Sequence, residues 1–286
     1  MDIFSSFFFA DSHASYDDAR HVIFGVPFDS TTSFRAGTRS GPRAIREISY
    51  NFESYVPSFD IDLAEVPFTD LGDLDTGVVP DDMTIEVQSV VQEMVRDGKI
   101  PVMLGGEHSI TAPAVRAVKP DCYVVCDAHL DLREEFRGTR NNHACTTRRI
   151  FDDGVRDIII IGGRSGTADQ FAFAEKNLTL YTADAINETG IKPVLADIRK
   201  RVAGKRVYLS VDADVIDCCL TPGLGTPEPF GLSPGDIRGV IGAVAPYAAA
   251  FDYVEVSPAY DHGQAATVAG QLVREFIAAN WAARKK

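Results

Sequence analysis

Short apolar runs alternate with longer amphipathic stretches along almost the whole chain. The apolar runs predict strands at 22–26, 67–71, 100–104, 122–126, 157–161, 178–181, 206–211 and 251–256. Between most of them, apolar residues recur at helical spacing. This predicts helices near 41–50, 81–97, 110–118, 146–152, 167–175, 191–203, 233–247 and 265–283. The stretch PDDMTIEVQSVVQEMVRDGK shows the logic, with Pro80 and Asp81 opening a helix that Gly98 closes. Runs such as DIIIIGG and KRVYLSVD show little alternation, as expected of strands covered on both faces. The predicted fold class is α/β: one domain over residues 1–286, a three-layer α/β/α arrangement with a central, mainly parallel eight-stranded sheet. Open parallel sheets bind ligands beyond the carboxyl ends of their strands, so the residues just after each strand are where chemistry is sought.

Composition narrows the classes. The 286 residues are 45% hydrophobic, enough for a sizeable core, and contain no repeat, low-complexity segment or linker. A net charge of -13 argues against nucleic-acid partners, which need basic patches. It suits a small cationic substrate, and equally plain solubility. The five cysteines include no C-x-x-C pair, so neither a zinc knuckle nor a disulfide framework is expected, and a reducing cytoplasmic location fits. The opening MDIFSSFFFAD has no basic residues before its short apolar run, unlike a signal peptide. No stretch is long and apolar enough for a membrane span. Phe7, Phe8 and Phe9 are expected to pack against the body or another subunit, and Trp281 is a second candidate contact point.

Four predicted strands end in polar chemistry. GGEHS follows 100–104, DAHLD follows 122–126, VDADVID ends the strand at 206–211, and Glu255 lies near the tip of the last. Two of the six histidines, His108 and His129, fall in these motifs, and His143 follows in the next loop. In extended chain, Asp127, His129 and Asp131 share a face, as do Asp212 and Asp214. A cap and a solvated loop would explain one such cluster, but not three on one sheet edge. Carboxylates crowded together repel unless some are protonated, and a divalent cation removes the conflict. Four aspartates and two histidines exceed a usual single zinc site and suit two ions. Their oxygen-rich character favours manganese.

GVPFDSTTSFRAGTRSGPRAIR (25–46), GGEHS, DAHLD, SVDADVID and VEVSPAYD (254–261), in this order, resemble the ureohydrolase family, the arginases and agmatinases. The resemblance implies an α/β/α fold and two manganese ions per subunit. It also implies release of urea from a guanidino compound, and a trimeric or hexameric homo-oligomer. It makes His108, Asp127, Asp131 and Asp212 ligands of one ion, and Asp127, His129, Asp212 and Asp214 ligands of the other. Asp127 and Asp212 would bridge. His143 matches a proton shuttle, against a solvated loop residue as the alternative. Glu255 matches the partner of the guanidinium, against a cap or ion-pair role. Two bound metals would supply hydroxide near neutral pH by acidifying water. Asp131 would hydrogen-bond that hydroxide and the departing nitrogen, which His143 would protonate.

Within the family the chain is most like agmatinases, which convert agmatine to putrescine and urea. LREEFRGTRNNHACTTRRI lacks the Ser- and Asn-rich segment of arginases, while Arg148, Arg149 and EVSPAYD look agmatinase-like. Glu134 or Glu135 could receive a distal ammonium, or both could be solvated loop charges. Glu107 stands where Asp is usual and is not expected to bind metal, and Cys218 stands where Pro is usual. The alternatives are a guanidinobutyrase, an arginase, or a metal-binding member without catalysis. A two-metal phosphoesterase fits the ligands, but no Arg or Lys cradle is evident beside the motifs and Glu255 would repel phosphate.

Overall fold

The computed structural model describes residues 7–285. The start of the opening segment, residues 1–6, lies outside the described residues. The strands are β1 His21–Val26, β2 Tyr55–Val56, β3 Ile61–Asp62, β4 Phe68–Asp73, β5 Ile100–Gly105, β6 Cys122–Cys126, β7 Asp157–Gly163, β8 Thr179–Thr182, β9 Val207–Asp212 and β10 Ala248–Val254. The helices are α1 Gly41–Ser49, α2 Pro80–Arg96, α3 Thr111–Val118, α4 Thr146–Asp152, α5 Ala168–Asn177, α6 Ala183–Thr189, α7 Ile191–Val202, α8 Pro234–Val244 and α9 Gln264–Arg284.

Eight strands form one sheet in the order β4-β1-β5-β10-β9-β6-β7-β8. Every neighbouring pair in it is parallel. The remaining two, β2 and β3, form a small antiparallel hairpin. The sheet's faces carry separate cores. In β6, Cys122, Val124 and Cys126 face a layer of α1 and α6 to α9. Tyr123 and Val125 face a layer of α2 to α5. Burial on both faces explains the uninterrupted apolar runs.

Two expectations shift. The last strand spans 248–254, because Ala248–Ala250 are too small to stand out as a strand signal, and Glu255 leaves it with a left-handed backbone (φ 65°). The extra helix α6 was not anticipated; its Ala183 and Ile186 alone are buried, too few for a visible period. Phe9 is buried, and its N–H donates to Asp70 at 2.7 Å. Phe7 is half exposed. Asp70 also takes two hydrogen bonds from the buried Arg46 guanidinium, at 2.7 and 2.9 Å, so α1, β4 and the N-terminal segment are tied at one point. Trp281 is partly buried at the edge of the first core.

His21 is wholly buried between β1 and α9, its Nε2 3.0 Å from Asn280 Oδ1. Asn280 Nδ2 donates onward to the carbonyls of Ala245 and Ala248. Burial pushes the imidazole down to about 4, so it folds neutral. The unfolded chain, with its histidine near 6.5, takes up the proton first as pH falls. Stability is therefore lost between about pH 6.5 and 4, by roughly 3 kcal/mol at 1.36 kcal/mol per unit. The stability difference between the wild type and His21→Gln, from urea unfolding at a series of pH values, should shrink by that amount over this window.

Candidate metal centre

β5, β10, β9 and β6 are consecutive in the sheet, and these four strands carry the polar ends. Residues far apart in sequence therefore meet over one carboxyl edge. The GGEHS turn fits against the loop after β1 because Gly106 has no side chain: a Cβ there would lie 2.0 Å from the Phe28 carbonyl oxygen. This turn sets His108 at the head of a short 3-10 turn, wholly buried.

His108 Nδ1 lies 3.1 Å from Asp127 Oδ2, 3.2 Å from Asp131 Oδ2 and 3.2 Å from Asp212 Oδ2. His129 Nδ1 lies 2.8 Å from Asp214 Oδ2 and 3.8 Å from Asp127 Oδ1. Potential ligand atoms of His108, Asp127 and Asp212 fall within 4.8 Å of one another, as do those of Asp127, His129 and Asp214. Asp127 belongs to both groups. Asp212 Oδ1 accepts the Asp214 N–H at 2.9 Å, and Asp214 Oδ1 accepts the Ala128 N–H at 3.0 Å.

The six predicted ligands thus converge, but not by strand alternation. β6 ends at Cys126, and Asp131 has a left-handed backbone (φ 50°). The loop therefore turns Asp131 back toward His108, while His129 faces Asp214. Non-glycine residues in this region cost of order 1–3 kcal/mol and are held by their surroundings. Asp131 and Glu255 both carry that strain.

The donor set fits cations. His108 Nδ1, Asp127 Oδ2 and Asp214 Oδ2 are buried without a hydrogen-bond partner. Most buried polar atoms in folded proteins are paired, and these three belong to a single cluster of carboxylates and imidazoles. Burial, with the charges of Asp214 and Asp131, pushes Asp127 up to about 7. Burial and the same crowding raise Asp212 well above the carboxylate range. Asp214 is pulled low by His129, against its burial. Burial opposes charge on His108 and His129, yet the carboxylates around each raise both. A cluster in this condition needs protons or positive ions between its members.

Three supporting residues escaped the sequence reading. Ser210 donates to Asp252 Oδ1, so its oxygen accepts the proton of His108 Nε2 at 3.1 Å. That leaves the Nδ1 lone pair for a metal. Asp252 is buried and also accepts from Tyr208 at 2.7 Å and Thr111 at 2.8 Å. On the other side, Glu228 is anchored by Ser165 at 2.7 Å and lies 3.5 Å from His129 Nε2. Such outer partners set the tautomer and basicity of a ligand histidine. Asp252→Asn should weaken divalent-metal binding about 10–100-fold by titration calorimetry. Tyr208→Phe, which trims Asp252 without touching the relay, should not.

The cluster opens into a cavity of about 130 Å³ that Glu255, His143 and Arg133 also line. Glu255 is buried, and one of its oxygens accepts the His108 N–H at 2.7 Å. Burial and the charge of Glu107 push its carboxyl well up. His143 starts a 3-10 turn capped by Asn142, with its ring edge-on to Phe136 at 6.1 Å. Burial lowers its pKa. Arg133, just past the DAHLD motif, brings a cation to the wall, where no Arg or Lys is expected. Glu134 and Glu135 do not line this cavity. They face an adjoining chamber of about 500 Å³, where Glu134 pairs with Arg148 at 2.6 Å.

Fold and cluster together define a class: a parallel α/β/α sheet whose carboxyl edge carries two overlapping groups of residues that could hold metal ions. Residues 19–279 match the model of the Arginase family. The agmatinase of Pyrococcus horikoshii is 41% identical over 75% of each chain. The N(1)-aminopropylagmatine ureohydrolase of Thermococcus kodakarensis is 42% identical over 76% of this chain and 74% of its own. The crystal structure of the agmatine ureohydrolase of Thermoplasma volcanium superposes with a TM-score of 0.93 at 40% identity, covering 99% of this chain and 97% of that one. The chain belongs to the arginase family and is a metal-dependent ureohydrolase.

Proposed function

We propose that the protein is an agmatinase, hydrolysing agmatine to putrescine and urea with two manganese ions. The ions would be held by His108, Asp127, Asp131 and Asp212, and by Asp127, His129, Asp212 and Asp214. The observation that carries this is the cluster of unpartnered ligand atoms, His108 Nδ1, Asp127 Oδ2 and Asp214 Oδ2, beside a small cavity that His108 and Asp214 line. Bound divalent cations supply hydroxide at neutral pH by acidifying water. The chain's own residues do the rest. Glu255, with one oxygen fixed by the His108 N–H, offers the other to the planar guanidinium and orients its carbon. A guanidinium at this position restores the carboxylate charge that burial disfavours. Asp131 accepts a proton beside the reacting carbon. His143, neutral in its buried setting, carries a proton to the amine that must depart.

Support for the substrate comes from the relatives and from the acidic chain, whose -13 charge favours a dication. Arg133 in the cavity wall favours a second reading, a guanidino compound ending in a carboxylate. Urea release from agmatine, N(1)-aminopropylagmatine, guanidinobutyrate and arginine, measured with manganese present, separates them. Agmatine should be turned over with the highest kcat/KM, and a wide margin for guanidinobutyrate or arginine would overturn the first reading. We also propose one functional unit over residues 1–286, a cytoplasmic location, and assembly into trimers or hexamers, which sedimentation velocity tests. Among the described residues no helix is long and apolar enough to cross a membrane.

A further inference from the structure

Three loops of the carboxyl edge meet behind His143. Glu107, next to β5, is wholly buried and does not line the cavity beside the cluster. It accepts the Thr31 N–H at 2.7 Å, the Thr31 hydroxyl and the Ser109 hydroxyl. Its own N–H donates to the Phe28 carbonyl at 2.7 Å, locking the turn to the loop that carries Thr31. The Thr31 oxygen in turn lies 3.2 Å from the His143 N–H and 3.3 Å from His143 Nδ1.

A hydroxyl has one proton to give. Thr31 spends it on the Glu107 carboxylate, so toward His143 it can only accept. The backbone N–H of His143 satisfies one lone pair, and the ring can satisfy the other only with a proton on Nδ1. We infer that Glu107, acting through the Thr31 hydroxyl, is a positioning residue that holds His143 in its Nδ1-protonated tautomer and leaves Nε2 as the nitrogen that exchanges protons in the cavity. This rests on the proposed role of His143 as proton carrier, and adds how its ring is aimed. It also gives a purpose to Glu107, where a shorter acid is usual in the motif: its three donors come from two different loops.

The test uses the full chain with ring-labelled histidine, metal-free and again loaded with diamagnetic zinc, where nitrogen-15 NMR reads each tautomer. His143→Ala identifies the signal. In the wild type and in Thr31→Ser, His143 should carry its proton on Nδ1. In Thr31→Val, which keeps the shape and loses the hydroxyl, the signal should move to the Nε2-protonated form or a mixture. The manganese enzyme should then lose at least about tenfold in kcat with little change in KM, the signature of a lost proton transfer. Glu107→Gln should behave like Thr31→Val if it folds. The Thr31 pair keeps the test decisive if it does not. An unchanged His143 tautomer in Thr31→Val overturns the inference. A switched tautomer with unchanged kcat supports the positioning and instead overturns the reading of His143 as proton carrier.

Discussion

Asp127→Asn should lower kcat/KM for urea release by at least about a thousandfold, some 4 kcal/mol of transition-state stabilisation. The change is nearly isosteric, and the amide oxygen can still accept the His129 N–H that Asp127 Oδ1 takes at 2.6 Å. What goes is the charge shared by both ligand groups. The same variant should no longer be stabilised against heat by added manganese. The metal-free chain should respond in the opposite direction. Asp127 is held up to about 7 by burial and by Asp214 and Asp131, so above that pH its charge opposes folding. Removing it should leave the metal-free melting temperature at pH 8 unchanged or higher. A variant that keeps both the manganese-dependent shift and the rate would show that the ions bind elsewhere.

Glu255→Gln should cost about 10²–10³-fold in kcat/KM while leaving metal-dependent thermal stabilisation intact. The His108 N–H demands an oxygen from this side chain. The glutamine must therefore present its NH₂ to the substrate, where a guanidinium also offers only donors. A charge-assisted pair becomes a donor facing donors in a buried site, worth about 3–4 kcal/mol. Loss of metal binding in this variant would place Glu255 among the supports of the cluster and not at the substrate.

Much of this was legible in the sequence because parallel strands announce themselves twice, by unbroken apolar runs and by abrupt polar ends. Seven of the eight sheet strands lie within about two residues of their expected limits for that reason. Asp127, His129, Asp212 and Asp214 stood out as charges at the ends of buried strands. Asp252 could have been found the same way, being a carboxylate inside AAAFDYV. Thr31, Glu228 and Arg133 could not, because each matters through a neighbour on another loop, and no local pattern records which loops meet. The convergence of Asp131 was expected for the wrong geometric reason. Extended alternation would carry it along the strand direction, whereas a left-handed residue turns it back.

The position of β10 has a consequence for how the protein is made. It hydrogen-bonds β5 on one side and β9 on the other, so it alone joins β4-β1-β5 to β9-β6-β7-β8. His108 stands on the first half, and the aspartates and His129 on the second. During synthesis every residue of the cluster has been made once residue 214 is complete, yet the halves share no strand until residues 248–254 arrive. Domains with such distant pairings pay the loop-closure entropy before their contacts form. A nascent or truncated chain ending before Ala248 therefore carries all six of these side chains, yet lacks the strand that brings His108 to Asp127, Asp131 and Asp212. The seam closes late, so the part of the cluster built around His108 can form only in a chain that has almost finished being built.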